Sequence, residues 1–490
     1  MDEKAMARMG RVQELKRRFG PVGILGFASV LGAAWQSVLI SFVFSLGNGG
    51  PTGTVVMYLV TIFGLFMISL SLAEMGSIAP TAGGQYHWVS EFAPAIVQKG
   101  LSFLMGWVTV FGWQIYVIAS TTAAVKQIQG IVVLYLPAVT FTAWQFGLMT
   151  IAVLLLETGF NVAFATMLQG FEVVLLVLHI VAFIVFEAVF LALGPRGSID
   201  DVFDDFVNEY DWPTLAGAVL VGILAPLSAL TTADSVAHLA EELKDASRWL
   251  PRTIISNATI NYTISFLLLI TMLFRTGDIN AALDSGNPMP YIPILQSATK
   301  SRGGTMVLIL YIFAATFFST VNMITTSSRQ LYAFARDRGV PFPRFFAAVD
   351  GRGIPRNAIL TTLICNIILA LILTGSDTAF QIIISLGVVL LMCSYMICIG
   401  CITYFRLQGR TLPSRNFSLG RLGLPINAVA LLFAAFAFVL VFFPAAPHPT
   451  PVGMNWSCVL FSFLILLAGV LYIGGQRNVY VPPVALLREV

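Results

Sequence analysis

The chain has 490 residues, of which 57% are apolar and only 10% charged, with a formal net charge of +3 and a mean hydropathy of +0.86. Soluble chains carry about a quarter charged residues, and no water-soluble protein of this size can hide so much apolar surface, so a soluble enzyme, a nucleic-acid binder and a disordered chain are excluded. The charges are also segregated: none lies between Arg18 and Glu74 or between Arg421 and Arg477, and each gap has room for two spans of the roughly 20 residues a bilayer core requires.

The amino end, residues 1–20, is too charged for a secretory leader and is expected to be a cytoplasmic tail. Apolar windows then predict twelve membrane helices near 22–44, 53–76, 100–125, 143–163, 168–193, 213–237, 253–274, 304–334, 358–376, 379–404, 424–444 and 455–474. A cytoplasmic tail at 476–490 completes the expectation of an all-α integral membrane protein. The fourth and fifth spans are divided only by residues 158–171, where Gly159, Asn161, Gln169 and Gly170 mark a turn. With both ends inside, 22 of the 27 Lys and Arg residues fall on the cytoplasmic side, as the positive-inside rule requires.

Two spans carry breaks. The first has Gly23, Gly26 and Gly32 among small residues, and the sixth has Gly217, Gly222 and Pro226 followed by Ser228, Thr231 and Thr232. Backbone freed from helix bonding at bilayer depth is tolerated where it faces a cavity or ligand, and paired interrupted helices in corresponding positions point to a transporter's binding site. Ala28, Ser29, Val30, Gly32, Ala33, Ser228, Leu230 and Thr231 are therefore candidate substrate residues. The bland reading of each break alone is close helix packing by small residues.

Ionisable groups within spans are costly and functional by default. Glu172 and His179 share one face of the fifth span and Glu187 lies about 60° round from it; Glu172 and His179 are candidate proton carriers, against the alternative of a satisfied interhelical histidine. Glu157 and Lys126 fall near expected span ends, where snorkelling accounts for them. The four histidines lie in four segments, so no metal spacing exists, and no phosphate loop or dinucleotide fingerprint is present. No cofactor is expected. Cys365, Cys393, Cys398, Cys401 and Cys458 read as buried free thiols.

The stretch LAEMGSIAPTAGGQYHW (Leu72 to Trp88), ADSVAHLAEELKDASRWLP (Ala233 to Pro251), SSRQLYAFARDRGVPFP (Ser327 to Pro343) and FSLGRLGLPIN (Phe417 to Asn427) resemble, in order, segments of the amino acid–polyamine–organocation permeases, nearest the fungal amino acid/choline subfamily. The resemblance implies a five-plus-five inverted repeat (21–194 and 195–405) with two further helices (406–475). It also implies uptake of a small amino acid or amine coupled to protons, at a site between the first and sixth helices with help from the third, eighth and tenth. Asn322 of the eighth span joins the substrate candidates, and Trp113, with Trp107 as the alternative, is a candidate aromatic face for the substrate's amine. Where relatives commonly carry Gly, Thr231 stands here, so no relative's substrate transfers directly.

Half-helix amino ends at the breaks suit a carboxylate, and no acidic residue lies mid-span in helices one, three or six before Asp234. That favours an amino acid, of the GABA type, over choline. Glu241, Glu242, Arg329, Arg336 and Asp337 are placed on one membrane side and are candidate gate charges, against the alternative of solvated loop residues. Ser319, Thr320, Asn322, Thr325 and Thr326 offer oxygens for a sodium site, so sodium stays open as the driving ion. An amino acid sensor that does not transport is the reading of a different class. The plasma membrane is the family's usual location, with the vacuole possible.

Overall fold

The computed structural model describes residues 13–277, 279–373 and 377–484; the tail charges Lys4, Arg8, Arg11 and Arg488 lie outside them. Among the described residues all regular structure is helical apart from two isolated β-bridges. The helices that matter for the site are α1 Pro21–Gly32, α2 Ala34–Ser41, α3 Gly50–Ile78, α4 Gln85–Phe92, α5 Gln98–Tyr135, α6 Ala143–Phe164, α7 Leu168–Leu193, α8 Leu215–Val221, α9 Leu224–Leu230, α10 Ala246–Arg275, α11 Arg302–Arg336, α12 Arg356–Leu373, α13 Asp377–Leu407, α14 Gly423–Leu440 and α15 Ser457–Leu471.

Eleven helices, counting α1 and α2 as one, are long and apolar enough to cross a bilayer among the described residues. The sixth expected span differs. It is two seven-residue pieces, α8 and α9, parted at Gly222 and Ile223 and followed by irregular chain and a 3-10 turn, Ala237–Glu242. Local chemistry sets several boundaries. Pro21 opens α1, where its missing N–H costs nothing. Thr142 and Gln145 form a reciprocal cap at the start of α6. The turn between α6 and α7 falls at residues 165–167, so the fourth and fifth spans are separate helices.

Two expectations about helix ends are corrected. The 38 residues of α5 make a helix about 57 Å long, which places Lys126 well inside it, 4.5 Å above the Phe380 ring. Glu157 does not snorkel: it is fully buried in α6 and accepts a hydrogen bond from Thr121 at 2.8 Å. Helix sidedness follows the bilayer. On α7 Val174, Val177, Val181 and Ile184 are exposed, whereas Glu172 and His179 are buried against the other helices.

Both described ends reach one face. The Gln13 side-chain amide donates to the Glu241 carbonyl at 2.9 Å, and the Val481 N–H donates to the Asp337 carbonyl at 3.1 Å. The segment around Phe19 bridges to Leu243, bonding Glu242 and Lys244 through its backbone. On the other face the acidic loop docks on the α3 start, with Gly49 N–H donating to Val207 and Glu209 N–H to Gly47. These are called below the terminal face and the loop face.

Candidate functional site

Helix α1 ends because Ala33 turns left-handed, at φ 39° and ψ 43°, and α2 begins immediately after it. Such a conformation costs a non-glycine residue free energy of order 1 kcal/mol and persists only where its surroundings hold it. The Leu31 carbonyl left at the break accepts from Ser319 on α11. Across from it, α9 ends at Leu230 and helical bonding is lost through Val236. The two breaks meet: a Cβ on Gly32 would stand 3.1 Å from the Thr232 hydroxyl.

Between them lies a cavity of about 100 Å³. Gly32, Ala33, Gln36, Ser37 and Ser41 line it from the first span, Ser228 and Thr232 from the sixth, Tyr116 and Ser120 from α5, Thr316 and Ser319 from α11, and Phe380 and Gly387 from α13. None of its lining side chains is charged. Ile40, Phe44 and Phe380 also line a much larger vestibule of about 1000 Å³, which Lys126, Asp205 and Glu209 share on the loop face.

Of the candidate substrate residues, Gly32, Ala33 and Ser228 line this cavity. Ala28, Val30, Leu230 and Thr231 are buried in packing instead, and it is Thr232, one place on from Thr231, that faces the space. Ser29 donates to Asn257 at 3.2 Å, and the Asn322 amide donates to the Phe27 carbonyl at 3.4 Å. Gly23 and Gly26 belong to a continuous helix, with Gly26 pressed so closely on α7 that a Cβ would lie 2.2 Å from the Glu172 carbonyl oxygen. The break is at Ala33 alone.

A family model described as amino acid permease matches residues 25–464. The chain belongs to that family. The permease is 28% identical to an uncharacterized amino-acid permease of Schizosaccharomyces pombe, over all of this chain and 90% of the relative. It is 29% identical to a choline transporter of Saccharomyces cerevisiae, over 94% of this chain and 82% of the relative. A GABA-specific permease of the same yeast is 28% identical over all of this chain and 86% of its own length. The permease is thus a multi-pass membrane transporter and not an enzyme.

The proton candidates of the permease sit behind the cavity wall. His179 stands between the Gln36 amide, 3.2 Å from Nδ1, and the Asn261 oxygen, 3.2 Å from Nε2. An amide nitrogen donates and an amide oxygen accepts, so these partners suit a neutral ring protonated on Nε2. Asn261 continues to Asn257, which also accepts from Ser29. Glu172 faces the contact of α1 with α11 beside Asn322 and keeps one carboxyl oxygen, Oε2, without a hydrogen-bond partner.

Trp113 is fully buried away from the cavity and donates its indole N–H to Asp234 at 3.1 Å. Asp234 is a buried, hydrogen-bonded acid that sequence reasoning did not put among the site candidates. The signal was present: an acid in the midst of the Ser/Thr-rich break, four residues before His238.

The gate candidates come together on the terminal face. Arg336 makes two bonds to Glu241, at 2.7 and 2.8 Å, and Arg329 bonds Glu242 at 2.8 Å. Asp337 accepts from Tyr86 at 2.9 Å. Glu241, Glu242 and Arg329 are buried, so the solvated-loop alternative fails for them. The cavity thus shares lining residues with the vestibule on the loop face, while the paired charges gather on the terminal face.

Proposed function

We propose that the permease is a secondary active transporter that imports a small amino acid or amino-acid-like amine of the GABA type, driven by protons, through alternating access. The observation that carries this reading is the meeting of two helix breaks across one cavity whose lining holds no charged side chain. The unbonded amides at the start of α2, just past Ala33, suit a carboxylate. The Tyr116 ring and hydroxyl, with carbonyls at the broken ends, suit an amine. A cation without a carboxylate would find aromatic faces here but no anionic partner, which favours an amino acid over choline.

Protons are favoured over sodium because the buried Glu172 carboxyl supplies a group that can gain and lose a proton beside Asn322. Sodium remains the alternative ion, since Asn322 Oδ1 on α11 has no hydrogen-bond partner, while the other α11 candidates make hydrogen bonds. Ser319 donates to Leu31, Thr320 pairs with Ser120, Thr325 accepts from Asn161 and Thr326 donates to Ser235. Of the two carriers suggested by the sequence, Glu172 is retained as a coupling carboxyl and His179 is read as a neutral structural ring. We place the terminal face and both ends in the cytoplasm and the permease in the plasma membrane, with residues 21–194 and 195–405 as inverted repeats followed by two further helices.

The test is radiolabel uptake in a permease-deficient cell over amino acids, GABA, choline and polyamines, with imposed proton or sodium gradients. Accumulation of an amino acid under a proton gradient is expected. Binding without uptake of any member of the panel would replace the transporter by a sensor, and choline uptake alone would reverse the substrate assignment.

A further inference from the structure

The irregular chain that follows α9 carries a polar cluster which no established role absorbs. Asp234 is fully buried, as is His238 four residues later, and Nε2 of the ring lies 3.3 Å from Asp234 Oδ2. The same Oδ2 accepts the Trp113 indole N–H at 3.1 Å and the Gln85 amide at 2.6 Å, while Tyr395 hydrogen bonds Oδ1. The cluster thus ties the sixth segment to α4, α5 and α13 at the level where the cavity is shut off from the terminal face.

Hydrogen-bond bookkeeping fixes where a proton must be. His238 Nδ1 lies 2.9 Å from the Ala82 carbonyl, and a carbonyl only accepts, so Nδ1 carries a hydrogen. A neutral ring would then present the Nε2 lone pair to a carboxylate oxygen, two acceptors at hydrogen-bonding distance with no water between them. An unmade bond between buried polar groups is costly. The indole N–H is a donor in every state, so Oδ2 is an accepting oxygen. The proton on the contact therefore belongs to Nε2, giving an imidazolium and carboxylate of net charge zero.

Further groups surround the pair. Tyr116 of α5 and Cys398 of α13 lie close enough to Asp234 to feel its charge, as Tyr262 of α10 does for Tyr395. Glu241 accepts the Ala82 N–H at 3.2 Å and is itself held by Arg336 of α11. From α11, Thr326 reaches the segment through the Ser235 carbonyl, and Arg329 is taken by Glu242. Gly84, at φ 52°, brings the α4 loop against the ring, where a Cβ would stand 3.0 Å from His238 Cε1.

We propose that Asp234 and His238 form a proton-binding latch whose single proton holds the terminal face closed and is released to that side when the face opens. Loss of the Nε2 proton to water takes the pair from net zero to one negative charge, sets lone pair against carboxylate, and frees the segment from Ala82 and α4. The inference rests on the alternating-access reading and adds to it the place where opening is linked to a proton, separate from Glu172. Because the closed state binds the proton more tightly than the open one, raising pH favours opening, by up to about tenfold per pH unit for one linked proton.

The experiment is hydrogen exchange of the full-length protein in lipid nanodiscs, read at amides 79–86 and 237–242 and corrected for the intrinsic pH dependence of exchange. In the wild type, protection of these amides falls as pH is raised from about 6 to about 8, while the loop-face amides 205–210 are unchanged. Asp234→Asn keeps an accepting oxygen at the Oδ2 place for Trp113 and Gln85 and holds the site at net zero charge with a neutral ring, so no charge appears there as pH rises and protection persists at both pH values. His238→Gln leaves Asp234 charged without an imidazolium and opens the face at both. A merely structural cluster would be loosened by both changes alike, and that result overturns the proposal. Equal wild-type protection across the range also overturns it, and needs no variant to fold. Radiolabel uptake by the same preparation in liposomes separates the two readings. Uptake with pH-independent protection removes the latch alone; pH-dependent protection with no uptake of any panel compound removes the transport reading on which it rests.

Discussion

Gly32 lies where the two breaks meet, since any Cβ there would crowd the Thr232 hydroxyl at 3.1 Å. Gly32→Leu and Ser228→Phe both push bulk into a space of about 100 Å³ and should abolish substrate binding and uptake while inserted, monodisperse protein is recovered in normal amounts. Normal uptake in both would remove the site assignment. Glu172 calls for a different measurement. Glu172→Gln keeps the shape of the side chain and removes its charge, so proton-driven accumulation should collapse to the level of downhill equilibration while substrate counterflow and the pH dependence of terminal-face protection persist. Accumulation equal to that of the wild type would dismiss the carboxyl as the carrier. Residue by residue, the sequence disclosed the break better than its lining. Gly32 and Ser228 were legible as small groups among helix breakers. Gln36, Tyr116 and Phe380 were not, because each is an ordinary helix residue until the helices are docked and one face turns toward the space.

Among the elements, α1 separates two uses of glycine that look alike in sequence. Gly26 fits only because it has no side chain: a Cβ would meet backbone atoms of Glu172 at 2.2 and 2.8 Å, and backbone cannot move aside. Gly26→Val should therefore fail at assembly, with a cost at or above the upper end of the roughly 1–3 kcal/mol usual for overpacking, and fluorescence size exclusion should show aggregated or missing protein. Recovery of stable Gly26→Val protein that merely fails to bind substrate would instead move Gly26 into the site. Helix existence was legible wherever an apolar run was long, as in α3, α11 and α13, because burial in lipid demands internal backbone bonding throughout. The sixth segment was legible as interrupted but not as a pair of seven-residue pieces with a 3-10 turn. Its irregular stretch is held by side chains from elsewhere, such as Thr326 to Ser235 and Gln85 to Asp234, and no local pattern announces such partners. Burial misled the reading of α6 for the same reason: Glu157 is near an expected span end in sequence, yet α5 and α11 cover it.

At the scale of the whole molecule the two faces are closed to different depths. Toward the loop face Ile40, Phe44 and Phe380 line both cavity and vestibule. Toward the terminal face the chain stacks the Asp234 cluster, two buried ion pairs and the segment around Phe19, which bonds Glu242 and Lys244. Alternating access requires that this thicker closure come apart as a unit, and buried ion pairs suit that duty because they specify a partner while contributing little net stability when intact. Breaking one is another matter. Glu241→Gln leaves the largely covered Arg336 guanidinium, held through both its terminal nitrogens, without the carboxylate that grips it, and removal of one member of a buried pair costs about 3–5 kcal/mol. The closed state bears that cost most directly, since only there does Glu241 grip Arg336. The expected outcome is a lower unfolding temperature together with faster hydrogen exchange at amides 237–242, and a partial return of both in the exchanged pair Glu241→Arg with Arg336→Glu. Unchanged exchange in Glu241→Gln, or a swapped pair no better than the single variant, would show that the two charges share a location without forming the gate.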